Sequence, residues 1–170
     1  MLPPTFKTKR FLITAYSEGD LQRYLEMALD DEVVKYMGRA PGNIEEESQL
    51  FQKIFKIYET DKGKWFWVWG IYNGGKLCAH LELKETVHTA SDELEIVYMV
   101  HPLERRKGLM TEVLDFLKDH QHAWKKTIIA TISPDNLAST ALLQRWGIEK
   151  KELLTAEDTG EQYYKLFLTR

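Results

Sequence analysis

The sequence lacks the features that mark secreted, membrane-spanning and nucleic-acid-binding proteins. Its 170 residues include one cysteine, Cys78, which excludes an internal disulfide and a multi-cysteine zinc site. No apolar run approaches the roughly 20 residues of a membrane helix, and no apolar segment follows the basic residues near the N-terminus, as a signal peptide requires. A basic excess is also missing, because the formal net charge is -3 and the pI is near 6.0. A nucleic-acid partner is therefore not expected.

What is present favours one globular, cytoplasmic domain. Apolar residues make up 44% of the chain, enough for a core at this length, and no repeat, low-complexity segment or long linker divides it. Four histidines show no ligand spacing with a carboxylate: His88, His101, His120 and His122. We expect no metal, no membrane and no nucleic acid as partners, and either a monomer or a homodimer.

Hydrophobic periodicity predicts a mixed α/β sheet with helices packed on it. The predicted strands are 8–16 (with Phe11 and Ile13 on one face), 64–72, 76–84, 93–100, 127–132, 149–156 and 162–169. The predicted helices begin at a Ser17–Asp20 capping box, after Asn43, near 107 and at 136, with the turn Asn73-Gly74-Gly75 joining the second and third strands. This order does not alternate strictly enough for a plain Rossmann fold.

The segment 93–117 carries the most chemical information. A predicted strand runs into the basic loop Arg105-Arg106-Lys107-Gly108, and a helix follows. A helix N-terminus offers free N–H groups and a partial positive charge, and Gly108 lets the backbone approach a ligand. A phosphate or pyrophosphate can dock at such a place. Taken alone, however, a basic loop before a helix is more often a solvated surface turn.

Four motifs in register resemble the GNAT superfamily of acetyltransferases, and together they cover nearly the whole chain. Arg105–Met110 resembles the pyrophosphate loop (Q/R)-x-x-G-x-(G/A), and Glu95–Tyr98 is similar to the superfamily's fourth strand. Asn136–Ser139, with Trp146-Gly147-Ile148, is similar to the N-x-x-(S/A)…G-F signature. Residues 10–37 resemble the first strand and helix of the ribosomal-protein-alanine N-acetyltransferase branch.

The resemblance implies one α/β (α+β) domain over residues 1–170, built on a single mixed, mostly antiparallel sheet of about seven strands with helices on both faces. It implies an N-acetyltransferase that uses acetyl-CoA as co-substrate and acetylates a primary amine by direct attack in a ternary complex. The implied CoA-binding residues are Met99, Val100, Arg105, Arg106, Lys107, Gly108, Leu109, Met110, Thr111, Asn136 and Ser139. Pantetheine would pair with the strand at Met99 and Val100, where a backbone N–H would hold the oxyanion.

An amine acceptor is mostly protonated near neutral pH, so the reaction needs a base. Glu95 is the candidate, because it shares a strand face with Val97 and Met99, where desolvation would raise the pKa of its carboxyl. Glutamate at this strand position is the base in some members of the superfamily. The alternatives are an exposed Glu95 with no role and Glu82 as the base. Ser139 is the candidate acid for the CoA thiolate, although serine is also an ordinary N-terminal helix residue.

Two positions depart from the superfamily pattern. Met110 stands where glycine or alanine is preferred, and Leu143 stands where many members place a tyrosine that protonates the thiolate. A second function therefore stays open, a non-catalytic module of GNAT fold that binds acyl-CoA or a partner. The acceptor also stays open between a protein N-terminus and a small-molecule amine, with residues 30–60 and 153–163 expected to select it.

Two further groups are interpreted as structural. Cys78 and His80 share a strand face, but no third member or oxyanion hole accompanies them. The tryptophans Trp65, Trp67 and Trp69 lie on one face of the predicted strand and favour core packing, although an aromatic at its exposed end can line an acceptor pocket.

Overall fold

The structure, a computed structural model, describes residues 2–36, 42–60, 65–156 and 160–168. The strands in these ranges are β1 (Phe6–Lys7), β2 (Leu12–Thr14), β3 (Phe66–Asn73), β4 (Lys76–Lys84), β5 (Glu93–Val100), β6 (Thr127–Ile132), β7 (Ile148–Thr155) and β8 (Gln162–Leu168). The α-helices are α1 (Leu21–Ala28), α2 (Asp31–Val34), α3 (Ile44–Glu59), α4 (Leu109–Trp124) and α5 (Leu137–Trp146). None of the helices in the described ranges is long and apolar enough to cross a bilayer.

The eight strands form one open sheet in the order β1-β2-β3-β4-β5-β6-β8-β7. Of the strand pairs whose register is described, β5 and β6 are parallel and the others are antiparallel. The predicted mixed, mostly antiparallel α/β sheet is therefore confirmed. Residues 64 and 169, predicted as strand ends, lie outside the described ranges.

The sheet in the described ranges has one strand more than the seven expected, because Phe6–Lys7 forms β1, which was not predicted. The strand predicted over 8–16 is present but shorter, as β2, and it forms a hairpin with β1 in which Phe6 pairs with Ile13. The chain turns back between them where the Thr8 N–H donates to the Phe11 carbonyl at 2.9 Å. Phe11 and Ile13 are nevertheless buried, as the alternation of apolar residues predicted.

Side-chain caps fix the starts of the first helices. The predicted capping box is present: the Ser17 N–H donates to Asp20 Oδ2 at 2.8 Å, and a single 3₁₀ turn precedes α1. Asn43 and Glu46 form a second box at α3, with hydrogen bonds of 2.9 and 3.1 Å. Each box satisfies N–H groups that the first turn of a helix leaves unpaired. The one-turn helix α2, capped by Asp30, was not predicted.

The β3–β4 hairpin confirms the turn prediction. Asn73 pairs with Lys76, and the two loop residues, Gly74 and Gly75, have φ values of 57° and 79°. Both lie in the left-handed region that this kind of two-residue turn requires and that glycine adopts without strain.

The chain divides into two compact units, Met1–Lys84 with Val97–Leu109 and Glu85–Ile96 with Met110–Arg170. The core of the first unit is rich in aromatic residues; its members include Tyr16, Tyr24, Phe51, Val68, Tyr72 and Met99. The second unit buries Leu94, Val113, Leu114, Leu117, Ile128 and Leu166. Val113, Leu114 and Leu117 lie on α4 at helical spacing and belong to its buried face.

The tryptophan run packs as predicted. Trp69 is fully buried, and its indole N–H donates to the Pro4 carbonyl at 2.8 Å. The Trp67 ring lies 5.5 Å from Trp69 and 4.5 Å from Trp65, both at steep angles. Such edge contacts are typical of aromatic packing.

Candidate active site

Glu95, the proposed base, is a buried carboxylate on β5 with 6% of its surface exposed. Its Oε2 accepts a hydrogen bond of 2.6 Å from the Thr86 hydroxyl, and its Oε1 accepts one from the Thr131 hydroxyl. These donors replace water that burial removes, and they lower the free-energy cost of placing a charge there. The alternative that Glu95 is merely a solvent-exposed glutamate is therefore wrong.

The ladder between β5 and β6 ends at Glu95. The parallel pairing covers Glu93 to Glu95 on β5, and its last pair joins Glu95 to Ile129. β6 continues to Ile132, which pairs with Tyr164 of β8. Thr131 lies two residues beyond the last β5–β6 pair, so β6 supplies a hydroxyl to the carboxylate where the ladder stops.

A turn after β4 holds the other hydroxyl in place. The Thr86 hydroxyl, which donates to Glu95, accepts a hydrogen bond from the His88 N–H at 3.1 Å. Lys165 on β8 donates to the His88 carbonyl at 2.7 Å, and the Tyr163 hydroxyl lies 3.3 Å from the His88 ring. These supporting residues were not predicted, because threonines and a lysine far apart in the chain form no local pattern.

The basic loop 105–108 has less free charge than its sequence suggests. The Arg105 guanidinium is paired with Asp30, the N-cap of α2, and Lys107 lies 3.0 Å from the Glu104 carboxylate. Arg106 is exposed. Arg105 was predicted to supply charge to a ligand, but its described side-chain partner is an aspartate of the same unit.

The backbone of the loop has two residues in the left-handed region. Arg106 and Gly108 have φ values of 60° and 71°, in the left-handed region, which glycine adopts freely and arginine adopts seldom. Such turns direct successive N–H groups to one side and form anion-binding concavities. α4 begins at Leu109, so its first unpaired N–H groups and positive dipole end follow at once.

A second contact joins His101, which lies four residues before Arg105, to α1. His101 is buried, and its Nε2 lies 2.7 Å from Glu26 Oε2, while its Nδ1 accepts from the Leu103 N–H. Since Nδ1 is an acceptor, Nε2 carries the proton and donates to Glu26. This hydrogen bond is the main cause that lowers the pKa of the Glu26 carboxyl.

The N-terminus of α5 shows the ordinary capping role of Asn136. Its side chain accepts from the Ser139 N–H at 3.1 Å, which is the standard N-cap contact. Ser139 is half-buried. The two departures from the superfamily pattern, Met110 and Leu143, are both buried with 5% and 0% exposure, so core packing accounts for their size.

Cys78 and His80 do not pair with each other, in agreement with the interpretation of both residues as structural. The Cys78 thiol contacts the Lys76 carbonyl at 3.2 Å, and burial raises the pKa of that thiol. A thiol that stays protonated is a poor nucleophile. Both ring nitrogens of His80 have other partners, Tyr16 and Glu82.

Those partners form a buried polar chain in the first unit. Burial raises the pKa of Tyr16 well above its usual value, so the hydroxyl stays protonated and donates to His80 Nδ1 at 2.8 Å. The proton on His80 Nε2 then faces Glu82 at 3.1 Å, and Lys84 lies 2.5 Å from the other carboxylate oxygen. Burial alone would raise the pKa of Glu82, but His80 and Lys84 outweigh it and lower that pKa to about 2. A carboxylate with so low a pKa is a weak base near pH 7, which favours Glu95.

The comparison with protein families gives the class. The model of the family "Acetyltransferase (GNAT) domain" matches residues 10–149, so the chain belongs to the GNAT acetyltransferase family. Membership indicates an acetyltransferase that uses an acyl-CoA. No curated protein is significantly similar in sequence.

Solved structures with the same fold include ribosomal-protein acetyltransferases. A GNAT-family acetyltransferase from Bacillus anthracis is 21% identical, with 97% of this chain and 98% of that chain covered and a TM-score of 0.77. RimJ from Mycobacterium smegmatis, in complex with CoA-disulfide, is 18% identical over 98% and 88% of the two chains, with a TM-score of 0.79. Ribosomal-protein-S5-alanine acetyltransferase from Vibrio fischeri is 12% identical over 97% and 96%, with a TM-score of 0.72. At these identities the likeness establishes the fold.

Proposed function

We propose that the protein transfers the acetyl group of acetyl-CoA to a primary amine by direct attack. The observation that carries the proposal is the buried Glu95 carboxylate, held by two threonine hydroxyls at the end of the β5–β6 ladder. A GNAT-family chain has little other reason to bury a charge there, because an apolar residue would pack at lower cost. When bound, acetyl-CoA supplies an activated thioester.

Glu95 acts as the general base in this account. It takes a proton from the acceptor ammonium, directly or through one water molecule, and releases the amine lone pair for attack. A positioned general base contributes about 10²–10⁴ in rate. Thr86 and Thr131 fix the two carboxylate oxygens, so the base keeps one orientation through the reaction.

The loop and the strand bind the CoA. Backbone N–H groups from Arg106 to Thr111 receive the pyrophosphate, a role that the left-handed residues Arg106 and Gly108 before α4 support. Met110 takes part through its N–H, because its side chain is buried. The backbone of Met99 and Val100 on β5 pairs with pantetheine and supplies an N–H for the oxyanion.

α5 completes the proposed cofactor site. Asn136 and Ser139 lie along the pantetheine arm. As the C–S bond breaks, Ser139 gives its hydroxyl proton to the leaving thiolate and takes back the proton that the attacking nitrogen loses when it becomes an amide. Leu143 leaves no acid in the place that a tyrosine often fills. Arg105 contributes to the cofactor site through its backbone, because its side chain pairs with Asp30.

The acceptor is a protein N-terminus or a small-molecule amine. The ribosomal-protein-S5-alanine acetyltransferase, whose fold this chain shares, supports the first. The segments expected to select the acceptor are 30–60 and 153–163, of which residues 37–41 and 157–159 lie outside the described ranges. The alternative function, a module that binds acyl-CoA without catalysis, loses support because packing accounts for Met110 and Leu143.

A thiol-release screen tests the proposal. Purified protein and acetyl-CoA are incubated with peptides that have free N-termini, with polyamines and with aminoglycosides, and free CoA is measured. We expect release with at least one class and none with N-terminally blocked peptides. CoA binding with no release across the panel would support the non-catalytic module.

A further inference from the structure

Arg10 contacts the loop 105–108 from the far end of the sequence. Its Nη1 donates to the Lys107 carbonyl at 3.0 Å, and its Nη2 donates to the Gly108 carbonyl at 3.1 Å. The guanidinium thus holds two successive carbonyls with two parallel N–H groups, an arrangement that its planar fork favours. Arg10 is not among the residues that the family resemblance assigns to CoA.

The β1–β2 turn places Arg10 there. Thr8 closes this turn on both sides, because its N–H donates to the Phe11 carbonyl and its hydroxyl accepts from the Phe11 N–H at 3.0 Å. The guanidinium lies 4.8 Å from the centroid of the Phe11 ring. A cation over an aromatic face is attracted to it, so the turn and the ring restrict the arginine to one direction.

The two contacts fix the direction of the N–H groups that follow. In a planar trans peptide the carbonyl and the next N–H point to opposite sides, and the described peptide bonds are all trans. The carbonyls of Lys107 and Gly108 point at Arg10, so the N–H groups of Gly108 and Leu109 point away from it. A positive charge on a carbonyl also polarises its peptide unit, which strengthens the N–H as a donor.

We propose that Arg10 is a positioning residue for CoA binding. It holds the Lys107 and Gly108 carbonyls and thereby keeps the Gly108 and Leu109 N–H groups directed at the pyrophosphate, in a loop with left-handed residues that would otherwise relax. Arg10 acts through the loop and does not touch the ligand. The inference rests on the proposed function, since it assigns a role at the same CoA site.

The test compares three variants for CoA affinity by calorimetry. Arg10→Gln removes the charge and the two-carbonyl clamp, and Arg10→Lys keeps the charge without the fork. The matched control is Lys9→Gln. It removes one positive charge from the preceding residue of the same turn, whose side chain is exposed. We expect Kd for CoA to rise about 5- to 30-fold in Arg10→Gln, because only a fraction of the unbound loops would then hold the N–H groups in the binding orientation. Arg10→Lys should lie between, and Lys9→Gln within about twofold of wild type.

Kinetic constants and the melting temperature distinguish a positioning role of Arg10 from a structural role and from a catalytic one. In Arg10→Gln, KM for acetyl-CoA should rise with Kd while kcat is kept, and the ligand-free melting temperature should match that of Lys9→Gln. If the wild-type protein binds CoA and Arg10→Gln binds it with the same Kd, the inference is overturned and the proposed function stands. Full affinity in Arg10→Lys together with a loss in Lys9→Gln would also overturn it, because charge alone would then act. A wild-type protein that binds no CoA would refute the proposed function itself.

Discussion

The Thr86 hydroxyl donates a hydrogen bond of 2.6 Å to Oε2 of Glu95, nine residues further along the chain. With the Thr131 hydroxyl on the other oxygen, both sides of a buried carboxylate have a donor. Neither threonine can take a proton from an amine, so in the proposed mechanism their part is to orient and stabilise the carboxylate of Glu95.

Thr86→Val and Thr131→Val should each lower kcat about tenfold at neutral pH. Valine keeps the shape but removes a donor to a buried charge, a contact usually worth more than one between neutral groups. Steady-state rates of the two variants and of wild type measure the effect.

The control for this prediction is Thr5→Val, which removes an exposed hydroxyl bonded to Thr14 at 2.8 Å. Its rates should match those of wild type. If Thr86→Val and Thr131→Val lower the stability but keep the wild-type rate, the two threonines stabilise the fold and do not support the base.

Because of Glu82, the free energy of unfolding should depend on pH in the acidic range. Its pKa of about 2 lies below the ordinary value of 4.5, so its contribution is present above pH 4.5 and is lost as pH falls toward 2. At neutral pH, Glu82→Gln should lower the free energy of unfolding by about 2–3 kcal/mol. The gap to wild type should narrow below pH 4.5, as urea unfolding at several pH values can show.

An exposed ion pair is the matched control. Glu152 lies 2.5 Å from Lys150 on β7, and the Lys150 and Glu152 side chains are 62% and 35% exposed. Glu152→Gln should change the free energy of unfolding by less than about 1 kcal/mol at any pH, because water screens such pairs. A Glu82→Gln variant that behaves like this control would contradict the polar chain from Tyr16 to Lys84.

Arg106→Glu should weaken CoA binding more than it weakens folding. Arg106 is an exposed basic residue of the loop, at a φ of 60°, and a carboxylate there would oppose the pyrophosphate. The loss of affinity should be largest at low salt and shrink as ionic strength rises. Calorimetry at two salt concentrations measures it, and an unchanged Kd at low salt would make the loop a solvated turn.

Much of the fold follows from local sequence. The Ser17–Asp20 box, the Asn43 cap and the Gly74-Gly75 turn each depend on residues a few positions apart, so the sequence predicted them. The β1–β2 hairpin was missed because its strands are two and three residues long, too short for a periodic pattern.

The local structure of the candidate site was predicted only where its residues lie on one segment. The alternation along β5 predicted that Glu95 is buried, and the loop motif predicted that a helix begins after Gly108. The contacts that support them join distant parts of the chain: Thr131 is 36 residues from Glu95, and Arg10 is 98 from Gly108. Spacing along a sequence carries no signal for such pairs, and the pairing of Arg105 with Asp30 was hidden for the same reason.

The pH profile of Glu95→Gln tests the central claim most directly. Glutamine keeps the shape of the side chain but cannot accept a proton from the amine, so kcat should fall by about 10²–10⁴ near neutral pH while the affinity for acetyl-CoA hardly changes. The acidic limb should disappear, and the rate should recover toward pH 9.5 as free amine becomes abundant. A variant within about threefold of wild type at every pH, with the same profile, would contradict the assignment of Glu95 as the base.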